Sequence, residues 1–460
     1  VADPLGVSVA FDDPPLQSDP FWTRIDTLDG CRVRGWTIDR GRSTEFDKTG
    51  TGTAVIRIVD RQGLFDPTNP SSPYNGKLTP GKQAAVALQN PTGAHAWFTL
   101  FRGFIETWTY QLDPTRQYME LELQLVDGFA LLARAQLRVG IDGLLPVPAG
   151  AAGNVVYGET TGTLSDRITA ILDDAGWPAD LAVIGVDVFS GNVQVGPKAY
   201  GPGTSALDAL WDAADAEFPG VANLWVSKEG HLVFHGRQAR FQPDVAEYGI
   251  NQRTVGDPSA TSHDPTVVPV AELEWVNGQD NLVNAASATP QGIGLGSNWR
   301  QLNPGPPNND DVAGQYVKDD TSIDAYGLRS VTYDQLQTIK GIATGNNSMV
   351  ETKLFADYYV QNYKTPAPRV SRMVFKSRRP DDVLGTALWG HLCACEISDL
   401  LTLKTRHPGG GGFDTDFYVE GLHYTGSPGS PDVPVIVELT LDVSPRAHYT
   451  TNPFPGDHLP

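Results

Sequence analysis

The sequence predicts a mainly β protein with smaller α+β parts, built as two small β-barrel domains with other domains between them. Three observations carry this. Short runs alternate apolar and polar residues at the two-residue period of a strand, most cleanly in Glu120-Leu121-Glu122-Leu123-Gln124-Leu125-Val126. Glycine (48) and proline (35) are plentiful between those runs, as turn-rich β architecture requires. Two β-rich regions, 30–139 and 346–445, also share an internal spacing.

Residues 1–29 read as an N-terminal arm, because Pro14-Pro15 and Asp19-Pro20 hold the chain extended. Strand-like runs follow at Thr53 to Val59, Gln83 to Leu88, Phe98 to Thr109 and Glu120 to Val126. Several half-buried strands at this spacing make a small barrel or sandwich. Residues 140–250 read as a small α+β domain that opens on a glycine- and proline-rich linker. Its first helix takes Thr163 as N-cap, places Leu164, Ile168, Ile171 and Leu172 on one face and ends at Gly176. A second helix starts near Thr204, with Leu207, Leu210, Trp211 and Ala214 on its apolar side. Leu224-Trp225-Val226 and Leu232-Val233-Phe234 then flank Lys228-Glu229-Gly230 as a hairpin.

Residues 251–345 are rich in loop residues, with a strand near Glu272 to Val276 and a polar loop from Asn303 to Asp311. A helix from about Ser348 to Tyr363 stops before Pro366, which cannot continue it. Strands are expected at Arg369 to Phe375, Leu400 to Lys404, Phe417 to Tyr424 and Val433 to Val443, followed by a C-terminal tail at 446–460. The internal echo is numerical. Gly81 precedes Gly103 by 22 residues and Asp399 precedes Gly421 by 22, while Glu120-Leu121 and Glu438-Leu439 each follow 17 residues after those glycines. Duplication accounts for this, and so does coincidence in a chain with many short strands.

Composition narrows the function. A chain of 460 residues has room for two to four domains. The net charge of -20 argues against a nucleic-acid-binding surface, which must be basic to displace counterions. Solubility accounts for such a charge, and so does an acidic channel along which DNA slides without sticking. Cys31, Cys393 and Cys395 are a poor disulfide framework and complete no zinc site, so buried free thiols and cytoplasmic synthesis are expected. The opening Val1-Ala2-Asp3-Pro4 lacks a signal pattern, and no apolar run reaches the ~18 residues of a membrane span. No membrane anchor is expected.

Chemistry-bearing motifs are weak. There is no nucleophile elbow, zinc-binding His-Glu-x-x-His helix or phosphate-binding loop. Gly292, Gly294 and Gly296 lack the strand and helix of a nucleotide fingerprint. His231 and His235 share a strand face without further ligands. The acidic pairs Asp12-Asp13, Asp173-Asp174, Asp310-Asp311, Asp319-Asp320 and Asp381-Asp382 read as loop charge, because a glycosidase needs carboxylates facing across a cleft. Trp36, Trp97, Trp108, Trp211 and Trp225 lie within strand or helix patterns and read as core. No enzyme activity, metal or cofactor is expected.

The strongest local pattern runs from Trp36 to Gly103. It holds Arg40-Gly41-Arg42 and Glu45-Phe46-Asp47, then Gly63-Leu64-Phe65-Asp66-Pro67-Thr68-Asn69-Pro70, Ser71-Ser72-Pro73-Tyr74 and Leu78-Thr79-Pro80-Gly81. Physically this is a strand, a proline-stiffened excursion pinned by Phe65 and Tyr74, and a return strand. Later segments are Ser322-Ile323-Asp324-Ala325-Tyr326-Gly327-Leu328-Arg329, Val419-Glu420-Gly421 and Val443-Ser444-Pro445. In this order the segments resemble the minor tail proteins of long-tailed actinobacteriophages, a group similar to baseplate and tail-tip hub proteins. The resemblance implies a structural virion protein, a homotrimeric ring at the distal end of the tail tube. That ring joins the six-fold tube to three-fold tip components around the DNA exit channel. The implied partners are further copies of the chain, the distal tail ring, the tape measure and tip or fibre proteins, with DNA only in transit. The implied location is the phage tail tip, assembled in the host cytoplasm. The residues that carry the resemblance are Phe65, Asp66, Pro67, Asn69, Pro73, Tyr74, Gly81, Gly103, Tyr326, Gly327 and Gly421. An extracellular carbohydrate-binding or carbohydrate-degrading β-protein is the alternative, raised by the aromatic and acidic content.

Overall fold

The computed structural model describes residues 5–113, 115, 118–137, 155–157, 162–183, 194–195, 198–201, 203–217, 221–241, 250–258, 266–279, 281–290, 317–336, 347–377, 383–427 and 436–449. The chain is mainly β, with 42% strand and 22% helix. The glycines at 292–296, the polar loop at 303–311 and the acidic pairs at 310–311 and 381–382 lie outside the described residues.

The first region holds β1 (Leu5–Val9), β2 (Thr23–Arg24), β3 (Cys31–Gly41), β4 (Gly50–Asp60), β5 (Gln83–Gln89), β6 (Trp97–Asp113) and β7 (Tyr118–Val126). Five short strands follow, β8 (Val155–Tyr157), β9 (Gly162–Thr163), β10 (Ala182–Val183), β11 (Gln194–Val195) and β12 (Lys198–Tyr200). The hairpin expected in the middle is β13 (Asn223–Val226) with β14 (Leu232–His235). Then come β15 (Gln252–Gly256), β16 (Val268–Pro269), β17 (Glu272–Val276), β18 (Ala285–Pro290), β19 (Val317–Lys318) and β20 (Ser330–Leu336). The last four are β21 (Arg369–Lys376), β22 (Leu400–Lys404), β23 (Asp414–Ser427) and β24 (Ile436–Pro445).

One 14-stranded sheet joins both β-rich regions. Its main path is β16-β15-β22-β23-β3-β4-β7-β6-β5-β1-β2, and β24, β21 and β17 branch from β23. The sequence predicts two barrels; the pairings among the described residues close neither. A single hydrophobic core serves both regions, from Val7 and Ile56 to Leu439 and Val443. The link is β23. One edge runs along β24 from Phe417 to Ser427, while the other pairs Asp414 to Tyr418 with β22 and Gly421 to Gly426 with β3.

The expected N-terminal arm is a correction. Leu5 to Val9 pairs in register with Leu88 to Ala84 of β5, and Leu5, Val7, Val9 and Phe11 are buried. The alternation Leu5-Gly6-Val7-Ser8-Val9 is a half-buried strand too short to stand out beside the prolines after it.

The middle helices follow from local signals. Leu164–Asp174 starts with a capping box in which Thr163 and Asp166 exchange hydrogen bonds, and Gly176 takes the left-handed φ of +70° just past its end. Ala206–Ala214 is capped by Ser205, one residue later than expected, and Leu207 and Trp211 sit at its margin instead of in the core. The helix Asn347–Tyr363 lays Phe355, Tyr359 and Tyr363 against a second core that reaches Tyr418 and Tyr449.

The proline-stiffened excursion is held from its root. Asp60, buried at the end of β4, accepts hydrogen bonds from Phe65 N at 2.8 Å and Gln62 N at 3.0 Å. Asn69 donates to Gly63 O at 2.9 Å, and Ser72 Oγ donates to Leu64 O. Phe65 is fully buried, with the rings of Phe11, Tyr74 and Trp108 at 6.5, 5.5 and 6.5 Å. Phe65→Ala empties that slot. The expected cost is about 3–5 kcal/mol, read as a fall in denaturant midpoint at unchanged slope; a loss below 1 kcal/mol would show that the excursion is not anchored there.

Candidate functional site

The site is built where β3 meets β23. β3 ends at Gly41, where its register against β4 shifts between Asp39 and Gly41, and the buried Arg40 and Arg42 flank that glycine. In β23, a bulge between Val419 and Gly421 leaves Glu420 without a cross-strand partner and turns it inward. The close approach needs glycine at position 41. A Cβ there would lie 2.2 Å from Glu420 O, and the residue adopts φ +98°.

Glu420 is wholly buried and fully engaged. Arg42 Nε donates to Oε2 at 2.7 Å, Arg240 reaches both oxygens at 2.5 and 3.0 Å, and Ser444 Oγ donates to Oε1 at 2.5 Å. Arg240 also donates to Tyr449 Oη at 2.9 Å and lies over the rings of Tyr418 and Tyr449. Burial would raise the Glu420 carboxyl, but Arg240 and then Arg42 outweigh it and hold its pKa below the ordinary value.

A second set of bonds ties the same three segments. Arg40 donates to Val226 O at 2.8 Å and to Glu396 Oε1 at 2.7 Å. The other Glu396 oxygen accepts from Lys228 N at 2.9 Å. Asn223 bonds Thr49 on one side and Ser398 on the other. The first β region, the middle hairpin and the last β region therefore meet in one polar joint.

On the outer face, His423 bridges Asp39 of β3 at 2.9 Å and Asp442 of β24 at 2.8 Å. Hydrogen bonds to Asp39 and Asp442 push its pKa up to about 9. Nearby, Glu45 pairs with Arg369 at 2.9 Å. Burial alone would raise Glu45, but His448 and Arg369 lower it to about 2.

These groups hold chain segments together. Two of the described acidic pairs hold chain segments in place: Asp13 accepts from Phe21 N, Asp12 pairs with Lys77, and Asp319 caps a helix while pairing with Lys364. Among the described residues no group of three potential metal ligands converges. His235 packs edge-on against Trp225. Burial raises Cys31 and Cys393 to about 12 and also pushes Cys395 well above its ordinary value, so all three stay thiols; none is in a disulfide. Trp97 is a correction: it is 40% exposed, with the Arg24 guanidinium over its ring, and is not core. No described helix is long and apolar enough to cross a membrane.

The residues singled out from sequence fall in separate places. Phe65, Asp66, Pro67, Asn69, Pro73 and Tyr74 form the excursion, where Asp66 caps Thr68 and Pro73 is exposed. Gly81, at φ +85°, donates to Ile105 O. Gly103 lies so close to β7 that a Cβ would be 2.3 Å from Val126 O. Tyr326 is 37% exposed, and Gly327 ends the helix Asp320–Tyr326 at φ +79°. Only Gly421 belongs to the joint. Arg40-Gly41-Arg42 and Val419-Glu420-Gly421 were both visible as motifs, but nothing local in them announces that they meet.

No known family model and no curated protein matches the sequence. Solved structures do. The tail protein from Neisseria meningitidis MC58 is 14% identical with a TM-score of 0.50, over 95% of this chain and 96% of that one. The 43 kDa tail protein of prophage MuSo2 from Shewanella oneidensis is 8% identical with a TM-score of 0.51, over 97% of this chain and 98% of that one. The chain has the fold of these tail proteins. At such identities the likeness is one of fold.

Two outcomes are expected of the joint. Glu420→Ala leaves Arg42 and Arg240 buried without their carboxylate and costs about 3–5 kcal/mol of unfolding free energy in denaturant titration; a loss under 1 kcal/mol would show that the joint is not structural. His423 has a raised folded-state pKa, so its contribution is full below its ordinary value of 6.5 and is lost as pH climbs to about 9. The unfolding midpoint should fall across that window, and His423→Gln should remove this part of the pH dependence.

Proposed function

We propose that this chain is a structural protein of a phage tail, a hub component of the tail tip that forms a homotrimeric ring at the end of the tube. The observation that carries the reading is the end-to-end fold likeness to two tail proteins, over 95% and 97% of the chain. A duplicated unit supports the ring. The order β3-β4-β7-β6-β5 in the first region has its counterpart in β17-β21-β24-β23-β22 in the last, with antiparallel neighbours throughout. Each unit is read as one hub barrel. Three copies then present six similar units, which is what a part between a six-fold tube and a three-fold tip requires. Its neighbours in the virion would be the distal tail ring, the tape measure and tip or fibre proteins, with DNA passing through the ring and the particle assembled in the host cytoplasm. The role is structural, without catalysis or cofactor, and the motif residues of the excursion serve to stiffen the first unit.

Part of the -20 charge is assigned to the lumen, where like-charge repulsion keeps DNA from adhering. A reconstruction of the tail tip tests both statements. Three copies around an acid-lined channel are expected. A single copy per particle would overturn the ring, and a neutral or basic lumen would leave solubility as the reason for the charge. Turnover of peptidoglycan or polysaccharide by the purified protein would overturn the structural role.

A further inference from the structure

We infer that the outer half of β6, Thr107 to Leu112, takes β17 of a second copy of this chain as an added antiparallel strand, so that copies join head to tail. This rests on the ring reading and names the contact that would close it.

The two units can be aligned by their bulges. In β6 the register against β7 shifts between Ile105 and Thr107, opposite Leu125 and Gln124. In β23 the register against β24 shifts between Val419 and Gly421, opposite Val443 and Asp442. The skipped residue is a glutamate both times, Glu106 and Glu420. Thr107 thus matches Gly421, Thr109 matches His423 and Leu112 matches Gly426. Carried across β7 and β24 to β4 and β21, the same registers match Ile56 with Met373, and so Trp36 of β3 with Leu273 of β17. Counted along β17 from Leu273, Val276 falls at the place of Asp39.

Within the chain, the Gly421 to Gly426 edge of β23 is occupied by β3. Among the described residues the matching edge of β6 is not. β5 pairs with β6 only as far as Phe104, and the last backbone bonds beyond it are Gly81 N donating to Ile105 O and Ile105 N donating to Lys82 O. Likewise β3 is held on both edges, by β4 and β23, whereas β17 is held by β21 alone among the described strands. Among the described residues each chain therefore keeps one open edge of each kind, and the two kinds are those that pair inside it. A heterologous contact of this sort propagates from copy to copy until it closes.

The side chains fit the same register. Leu112 of β6 is 67% exposed, and Trp275 and Val276 of β17 are 47% and 44% exposed. Inside the chain, Trp36 lies opposite Gly426, so close that a Cβ on the glycine would be 2.1 Å from its ring. At the matching place between copies, Leu273 would face Leu112: a ring over a glycine is replaced by two side chains of middle size. The insertions do not stand in the way. The excursion packs Phe65 against Trp108, and in the second unit the helix Val383–Ala394 accepts a hydrogen bond from Tyr424 at Leu392 O, yet β3 still pairs beside it. Long open edges are aggregation hazards, and strand addition from a second copy removes both.

The test uses the full chain in a Cys31→Ser background. Thr109→Cys and Val276→Cys are made in separate chains, mixed and oxidised. A disulfide-linked dimer from the mixture, absent from either variant alone, is expected. Asp39→Cys with His423→Cys in one chain is the positive control, since it samples the same register internally and should give a cross-linked monomer. Leu112→Lys, at a side chain exposed in the single copy, should lower the assembled fraction at least tenfold by native mass measurement, with an unchanged unfolding midpoint. If the unmodified chain assembles, the control cross-links, the mixture does not and Leu112→Lys assembles normally, the strand pairing is wrong while the ring stands on other contacts. If the unmodified chain stays monomeric in the assembled particle, the ring reading falls and takes the pairing with it.

Discussion

The fold turns on a single buried carboxylate. Glu420 sits at the point where β23 changes neighbours, from β22 before it to β3 after it. A strand that switches partners along one edge needs a local break in its pleat, and a bulge provides one. The residue left over must then be disposed of. Here it points inward, where an unpaired charge would be prohibitive. Arg42 from the first unit, Arg240 from the middle and Ser444 from the last strand satisfy it together. The bulge therefore sets the topology, and the ion cluster makes the bulge tolerable. Remove the arginines and the switch has no reason to sit there.

Local order was legible and long-range order was not. The alternating leucines of β7, the Thr163 cap and the Leu224–Phe234 hairpin are written in short windows, and each formed where it was expected. The helix Val383–Ala394 escaped because leucine, alanine and tryptophan occur all round it, leaving no polar face to mark a period. The joint escaped for another reason. Glu420 lies 378 residues from Arg42 and 180 from Arg240, and a glutamate beside a glycine looks the same whether it meets solvent or two guanidinium groups. The echo between the β regions was real in the strands but misplaced in one of them. Leu121, Leu123 and Leu125 do match Leu439, Leu441 and Val443, yet the bulges pair Glu106 with Glu420, so Gly103 and Gly421 are not counterparts. The hairpin loops differ in length, and a fixed offset cannot absorb that.

The two units cover one sheet face by different means. Between β4 and β5 the first unit inserts a rigid loop that stacks Phe65, Tyr74 and Phe11 near Trp108. The second inserts a helix whose Leu388, Leu392 and Cys393 are buried. Both exclude water from the same side of the sheet, so both meet the requirement that an apolar face be buried. Nothing requires the covers to be alike. Sequence similarity between the units is accordingly confined to paired strands, where cross-strand neighbours restrict the choice at each position.

The charged cluster lies at the junction inside the chain and has no buried counterpart at the open edges. Glu106, at the same bulge in the first unit, is a surface residue that pairs with Arg134. A buried ion cluster loses hydration that its internal attraction only partly returns. Within one chain that loss is met once, during folding, and the partners are already tethered. Between chains it would be added to the translational and rotational entropy of association. An edge meant for another molecule is better supplied with backbone donors and acceptors and with side chains such as Leu112, Trp275 and Val276, whose burial is favourable without exact charge matching. The same strand geometry thus carries two chemistries: ionic where the contact is permanent, apolar where the edge stands open.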